Sequence, residues 1–73
     1  MVFDKIREII CNLFEIPEEE IALETTLEDA DIDSIDAVEL AMAVETEFDI
    51  EIPDEALEKM RSVADLVRFV ESC

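Results

Sequence analysis

Apolar residues in this chain recur at the three- and four-residue spacing of an α-helix, and nowhere do they alternate long enough to make a useful strand. Phe3, Ile6, Ile10 and Leu13 fall at i, i+3, i+7 and i+10, flanked by Ile9 and Phe14. That spacing predicts a first helix with one core-facing side, ending before Pro17. A second helix is predicted from about Ser34 to Phe48. "IEIPDE" reads as an extended turn into a short third helix over residues 54–60, with Pro53 suited to its start. In "SVADLVRFVES" Ser62 is the expected N-cap and Asp65 stands at the capping-box position, with Val63, Leu66, Val67 and Val70 facing inward. Between Pro17 and Asp33 the periodicity lapses. Ile21, Leu23 and Leu27 remain there as isolated apolar anchors, the pattern of a long loop pinned over a core.

A chain of 73 residues without a Gly- or Pro-rich interruption is expected to form one domain, residues 1–73, close to the size at which a single core is marginally stable. Apolar residues at 51% suffice for a core, but with no Trp or Tyr and a formal charge of −17 that core is light and its surface self-repelling. Such a surface repels phosphate backbones, so nucleic acid is not an expected partner; basic patches on other proteins are. The N-terminal stretch "MVFDKIREIICNLFEI" has acids among its apolar residues, which fits neither a signal peptide nor a membrane span. A cytoplasmic location is expected. Cys11 and Cys73 lack metal-ligand spacing and there is no His, so free thiols are expected rather than a zinc site.

The second helix is apolar on two sides. Advancing roughly 100° per residue, Ala37, Leu40, Ala41, Val44 and Phe48 form one stripe, while Ile35, Val38 and Met42 cluster almost opposite. The first is ordinary core. The second, bordered by Glu39 and Glu45, is either covered by the long loop or exposed as a small apolar patch with an acidic rim.

Running into the start of this helix is "DADIDSID", residues 29–36, four aspartates around Ser34. As a calcium loop it places Asp29, Asp31 and Asp33 at the first, third and fifth positions, but Ser34 stands where the sharp turn needs Gly and Leu40 where the closing Glu belongs. No specific metal site is expected; weak divalent binding at Asp29, Asp31, Asp33 and Asp36 would relieve repulsion. Nucleophilic catalysis by Ser34 has no base to use, since the chain lacks His and a Gly-lined oxyanion hole. The chain is therefore not expected to be an enzyme. Ser34 could simply cap the helix, but Asp33 and Asp36 can make a D-x-x-D cap, which frees the Ser34 hydroxyl. A phosphodiester on that hydroxyl would sit at the positive end of the helix dipole.

The stretch "DIDSIDAVELAMAVETEFDIEIPDE", set between the amphipathic first helix with its acidic loop and the final "SVADLV" helix, resembles the centre of acyl carrier proteins, and the likeness extends over essentially the whole chain. In that family an Asp-Ser-Leu motif carries 4′-phosphopantetheine on its serine; here the motif reads Asp-Ser-Ile. The resemblance implies an all-α fold, a small four-helix bundle of three longer helices and one short one, with a long loop between helices 1 and 2. It implies attachment of phosphopantetheine, drawn from coenzyme A by a phosphopantetheinyl transferase, at Ser34 with Asp33 beside it. Ile35, Asp36, Val38, Glu39, Met42 and Glu45 would then be the surface read by partners: acyltransferases, ketosynthases, reductases or acyl-carrier ligases with basic docking patches. Ala37, Ala41, Val44, Ile52, Leu57 and Met60 would line space for a folded-back acyl chain. A monomer is implied.

Two departures stand out. Asp31-Ile32 replaces the Gly-Ala that precedes Asp-Ser in many fatty-acid carriers, and with no glycine in the chain the loop is expected to join the helix without a position freed for positive φ. β-branched Ile35 replaces leucine after the serine. They open a specialised lipid, lipid A or polyketide pathway beside housekeeping fatty-acid synthesis. Aminoacyl or peptidyl carriage, and a non-acylated acidic adaptor that uses only the Ile35, Val38 and Met42 stripe, are the alternatives.

Overall fold

The computed structural model describes residues 1–73. Four α-helices follow one another: α1 Val2–Phe14, α2 Ser34–Phe48, α3 Asp54–Glu58 and α4 Val63–Glu71, with a 3₁₀ turn at Glu18–Glu20 inside the long α1–α2 loop. There is no sheet, only an isolated bridge between Thr26 and Ser62. Helix α1 packs against α4 and α2, and α3 lies on α2.

The buried core is wholly apolar. Ile6 and Ile10 enter it from α1, Leu40, Ala41 and Val44 from α2, and Val63, Leu66, Val67 and Val70 from α4, joined by Ile21, Ile32 and Ile52 from the loops. The four α4 residues are those its spacing predicts. Phe3 is half-buried and packs against the core, but Leu13 lies near the surface.

Three details differ from expectation. Helix α3 starts at Asp54 behind Pro53 as expected, but stops at Glu58 rather than residue 60. Leu23 is exposed and does not anchor the loop with its side chain; its carbonyl accepts from Ala64 N at 2.8 Å instead. Ile32, not singled out by spacing, is buried in its place at the loop's far end.

The third difference concerns the missing glycines. Glu15, Asp31 and Asp49 all occupy the left-handed region, at φ 56°, 60° and 54°. So the loop does join α2 through a positive φ, at Asp31, contrary to the expectation from composition. Around it Ile32 N donates to Leu27 O at 2.9 Å and Asp31 N to Glu28 O at 3.0 Å, the paired bonds that close a helical turn when the next residue turns left-handed. Thr26 Oγ1 accepts from Asp29 N at 3.0 Å and caps the same turn at its start. Each of the three acids is followed by isoleucine: Ile16, Ile32 and Ile50 pack into or against the core directly after the turn. Burial of that isoleucine offsets a left-handed preference that glycine would meet without cost.

The loop is stitched to the start of α4 by backbone bonds: Leu27 N to Arg61 O and Val63 N to Thr25 O, both 2.9 Å. The same corner carries the capping box. Ser62 Oγ accepts from Asp65 N, and the Asp65 carboxylate accepts from Arg61 N at 2.9 Å and Ser62 N at 3.1 Å. Those two N–H donors, with Arg68 adding to them, hold the Asp65 carboxyl below its ordinary value. A carboxylate lowered on folding contributes stability above its unfolded pKa, near 4, and the contribution is lost as pH falls through the folded value. We therefore expect Asp65→Asn to cost about 0.3–1.5 kcal/mol at pH 6. In urea melts the gap between variant and parent should narrow below about pH 4.

Candidate functional site

Ser34 is the first residue of α2 and is exposed. Asp33, extended at φ −83°, is the N-cap: its Oδ1 accepts from Asp36 N at 2.8 Å, and its carbonyl accepts from Ala37 N at 2.8 Å. With Asp33 capping, the Ser34 hydroxyl has no partner in the chain, and the N–H groups of Ser34 and Ile35 are unpaired. An exposed hydroxyl thus stands at the positive end of a 15-residue helix, where an attached anion meets free donors and the helix dipole.

Beside it opens a groove of about 930 Å³. Its apolar lining comes from Leu27, Ile32, Ala37, Val38, Leu57 and Met60, and its polar rim includes Glu28, Asp33, Asp54, Glu58 and Arg61. Of the six residues expected to line an acyl space, Ala37, Leu57 and Met60 border this groove, whereas Ala41, Val44 and Ile52 do not; they are 6%, 0% and 6% exposed and belong to the packed core. Ala41 and Val44 lie one and two turns further along α2 than Ala37, within the apolar core, and Ile52 joins that core from the turn after α2. Leu27 was expected only as a loop anchor, and Ile32, Glu28, Asp54, Glu58 and Arg61 were not tied to the groove from sequence. The only local signal was the pair of apolar residues stranded in the acidic loop.

The second stripe of α2 is exposed, not covered by the loop: Ile35 is 80%, Val38 47% and Met42 57% accessible. Glu39 is exposed beside it and Asp36 half-buried. Glu45 is half-buried, and its carboxylate accepts from Ile52 N at 2.6 Å and so holds the turn after α2.

The aspartates of residues 29–36 diverge. Asp29 and Asp31 border a small acidic hollow with Glu15 and Glu20, while Asp33 borders the groove. No three acidic or thiol side chains converge to hold an ion. Both cysteines are free, and burial, with Glu18 nearby, pushes the Cys11 thiol up, leaving it protonated and a poor nucleophile at neutral pH.

These features fit a covalently attached phosphate arm: a reachable hydroxyl, free N–H donors around it and an adjoining groove with an apolar floor. They define a carrier domain of the phosphopantetheine type. In agreement, the profile of the phosphopantetheine attachment site family matches residues 4–70. The acyl carrier protein of Clostridium acetobutylicum is 47% identical over 73 residues, covering 99% of this chain and 95% of its own. That of Wolinella succinogenes is 44% identical over 72 residues, covering 97% and 95%. The crystal structure of an acyl carrier protein from Thermotoga maritima superimposes with a TM-score of 0.84 at 35% identity, over 94% of this chain and 81% of that one. The chain belongs to the acyl carrier protein family, whose members carry rather than catalyse and whose prosthetic group is 4′-phosphopantetheine.

Proposed function

We propose that Ser34 is the attachment point of the arm and that residues 1–73 act as one carrier domain, a tether with no catalysis of its own. The observation that carries this is the freed Ser34 hydroxyl: Asp33 takes over the capping bond, so the serine has no structural duty. When bound, phosphopantetheine supplies a terminal thiol on which acyl groups are held as thioesters. The chain's own residues orient that arm and shelter what it carries. Asp33 keeps the first turn of α2 closed, the N–H groups of Ser34 and Ile35 face the phosphate, and Ala37, Leu57 and Met60 offer apolar surface to the chain beyond it.

Ile35, Val38 and Met42, with Asp36 and Glu39, form the surface on which phosphopantetheinyl transferase and the acyl-handling enzymes dock. An apolar centre with an acidic rim suits partners that present apolar contacts inside a basic patch. The relatives named above are called acyl carrier proteins, which favours acyl over aminoacyl cargo. The turn at Asp31 removes one ground for a specialised pathway, because the residue that replaces glycine still adopts the positive φ.

Incubation of the unmodified protein with coenzyme A, magnesium and a broad-specificity phosphopantetheinyl transferase should add one phosphopantetheine per chain by intact mass, mapped by fragmentation to Ser34. A chain left at its original mass by a transferase that modifies other carriers would sink the assignment.

A further inference from the structure

The chain has only five basic residues against 22 acidic ones. Lys5 pairs with Glu47, Arg7 with Asp4 and Glu18, and Arg68 with Asp65. Lys59 and Arg61 make no ion pair, and of all five only Arg61 lines the groove beside Ser34. Its freedom is notable in that setting, since Glu28, Asp33, Asp54 and Glu58 border the same groove and none is its partner. Asp65, which accepts from the Arg61 backbone N–H, gives its ion pair to Arg68 instead.

The backbone of Arg61, by contrast, is fixed. Its carbonyl accepts from Leu27 N and its N–H donates to Asp65, both at 2.9 Å, so the root of the side chain is held where the loop, α3 and α4 meet. Arg61, which lines the groove that starts at Ser34, thus carries an uncommitted cation on an anchored stem. Any anion placed on Ser34 enters a field dominated by Glu28, Asp33 and Asp36, and Arg61 is the single positive side chain lining that space.

We propose that Arg61 binds the phosphodiester of the arm, pairing with it across the groove and so drawing the arm toward α3 rather than into solvent. This rests on Ser34 carrying the arm. A guanidinium suits the task because its fork of N–H donors matches two phosphate oxygens. The residue matters only after modification; in the unmodified chain it has nothing to hold.

The test compares unmodified and modified protein for the parent, Arg61→Gln and Arg61→Lys. Intact mass first establishes that Ser34 is modified in each; failure at that step falls on the attachment site, not on Arg61. Modification should then lower the melting temperature of Arg61→Gln by about 2–4 °C more than that of the parent, the scale of one exposed charge pair in a domain this small. Arg61→Lys should fall between them, and the difference should fade in about 1 M salt. The phosphorus-31 resonance of the modified protein should also move on Arg61→Gln. Equal melting shifts in all three proteins with an unmoved resonance would overturn the proposal. So would a difference that appears only when the arm carries a carboxylated thioester such as malonyl and is absent with the bare arm, because the partner would then be the cargo.

Discussion

Ser34→Ala should abolish phosphopantetheine attachment completely, leaving the intact mass at that of the unmodified chain after exposure to transferase, coenzyme A and magnesium. Loss of the oxygen nucleophile removes the only atom at this position that could accept the phosphoryl group. The fold should hardly notice. Ser34 is exposed and its hydroxyl has no partner, so the variant's stability should stay within roughly 0.5 kcal/mol of the parent's. Asp33→Ala supplies the contrast, because Asp33 Oδ1 accepts from Asp36 N at 2.8 Å. Removing that cap should cost about 0.5–2 kcal/mol, frayed into the first turn of α2. A Ser34→Ala protein that still gains the arm would move the site elsewhere; one that melts like Asp33→Ala would mean the serine caps the helix after all.

Local chemistry made the helices legible. The bounds of α2 and the capping box of Ser62 with Asp65 depend on residues three or four apart, which spacing displays directly. Left-handed turns were harder to see, since composition offered no glycine to mark them. All three fall at an acid followed by a core-packing isoleucine, Glu15-Ile16, Asp31-Ile32 and Asp49-Ile50, but the same pair ends the 3₁₀ turn at Glu20-Ile21 without a positive φ, so the pair alone does not mark them. The groove was only partly legible. Periodicity puts Ala37, Ala41 and Val44 on one face of α2 but cannot say how far along that face the neighbouring helices close over it. That depends on the loop being stitched to α4 at Leu27 and Arg61, an association across more than thirty residues. The bond from Ile52 N to the Glu45 carboxylate was hidden for a similar reason: the two come within reach only because the chain turns back after Asp49.

The two sides of α2 should respond to substitution in opposite ways. Leu40, 2% exposed, belongs to the apolar core, so Leu40→Ala should lower stability by about 2–5 kcal/mol. In a domain of 73 residues, whose whole folding free energy is about 4–11 kcal/mol at ordinary values per residue, that is a large share of the total and should lower the urea midpoint clearly. Two positions earlier, Val38 lies on the exposed stripe, and Val38→Ser should change stability by no more than about 0.5 kcal/mol. Its defect should appear instead in recognition. The transferase should modify Val38→Ser more slowly than the parent, through loss of an apolar contact and with little dependence on salt. Glu39→Lys should also be slow, but through charge: it replaces an acid that attracts a basic enzyme with a base that repels it, and raising ionic strength should recover much of the rate as screening shortens. Chemical melts and modification time courses on the same three proteins separate the sides. If Val38→Ser unfolds as readily as Leu40→Ala, or Glu39→Lys is modified at the parent's rate at low salt, the exposed stripe is not the surface that partner enzymes read.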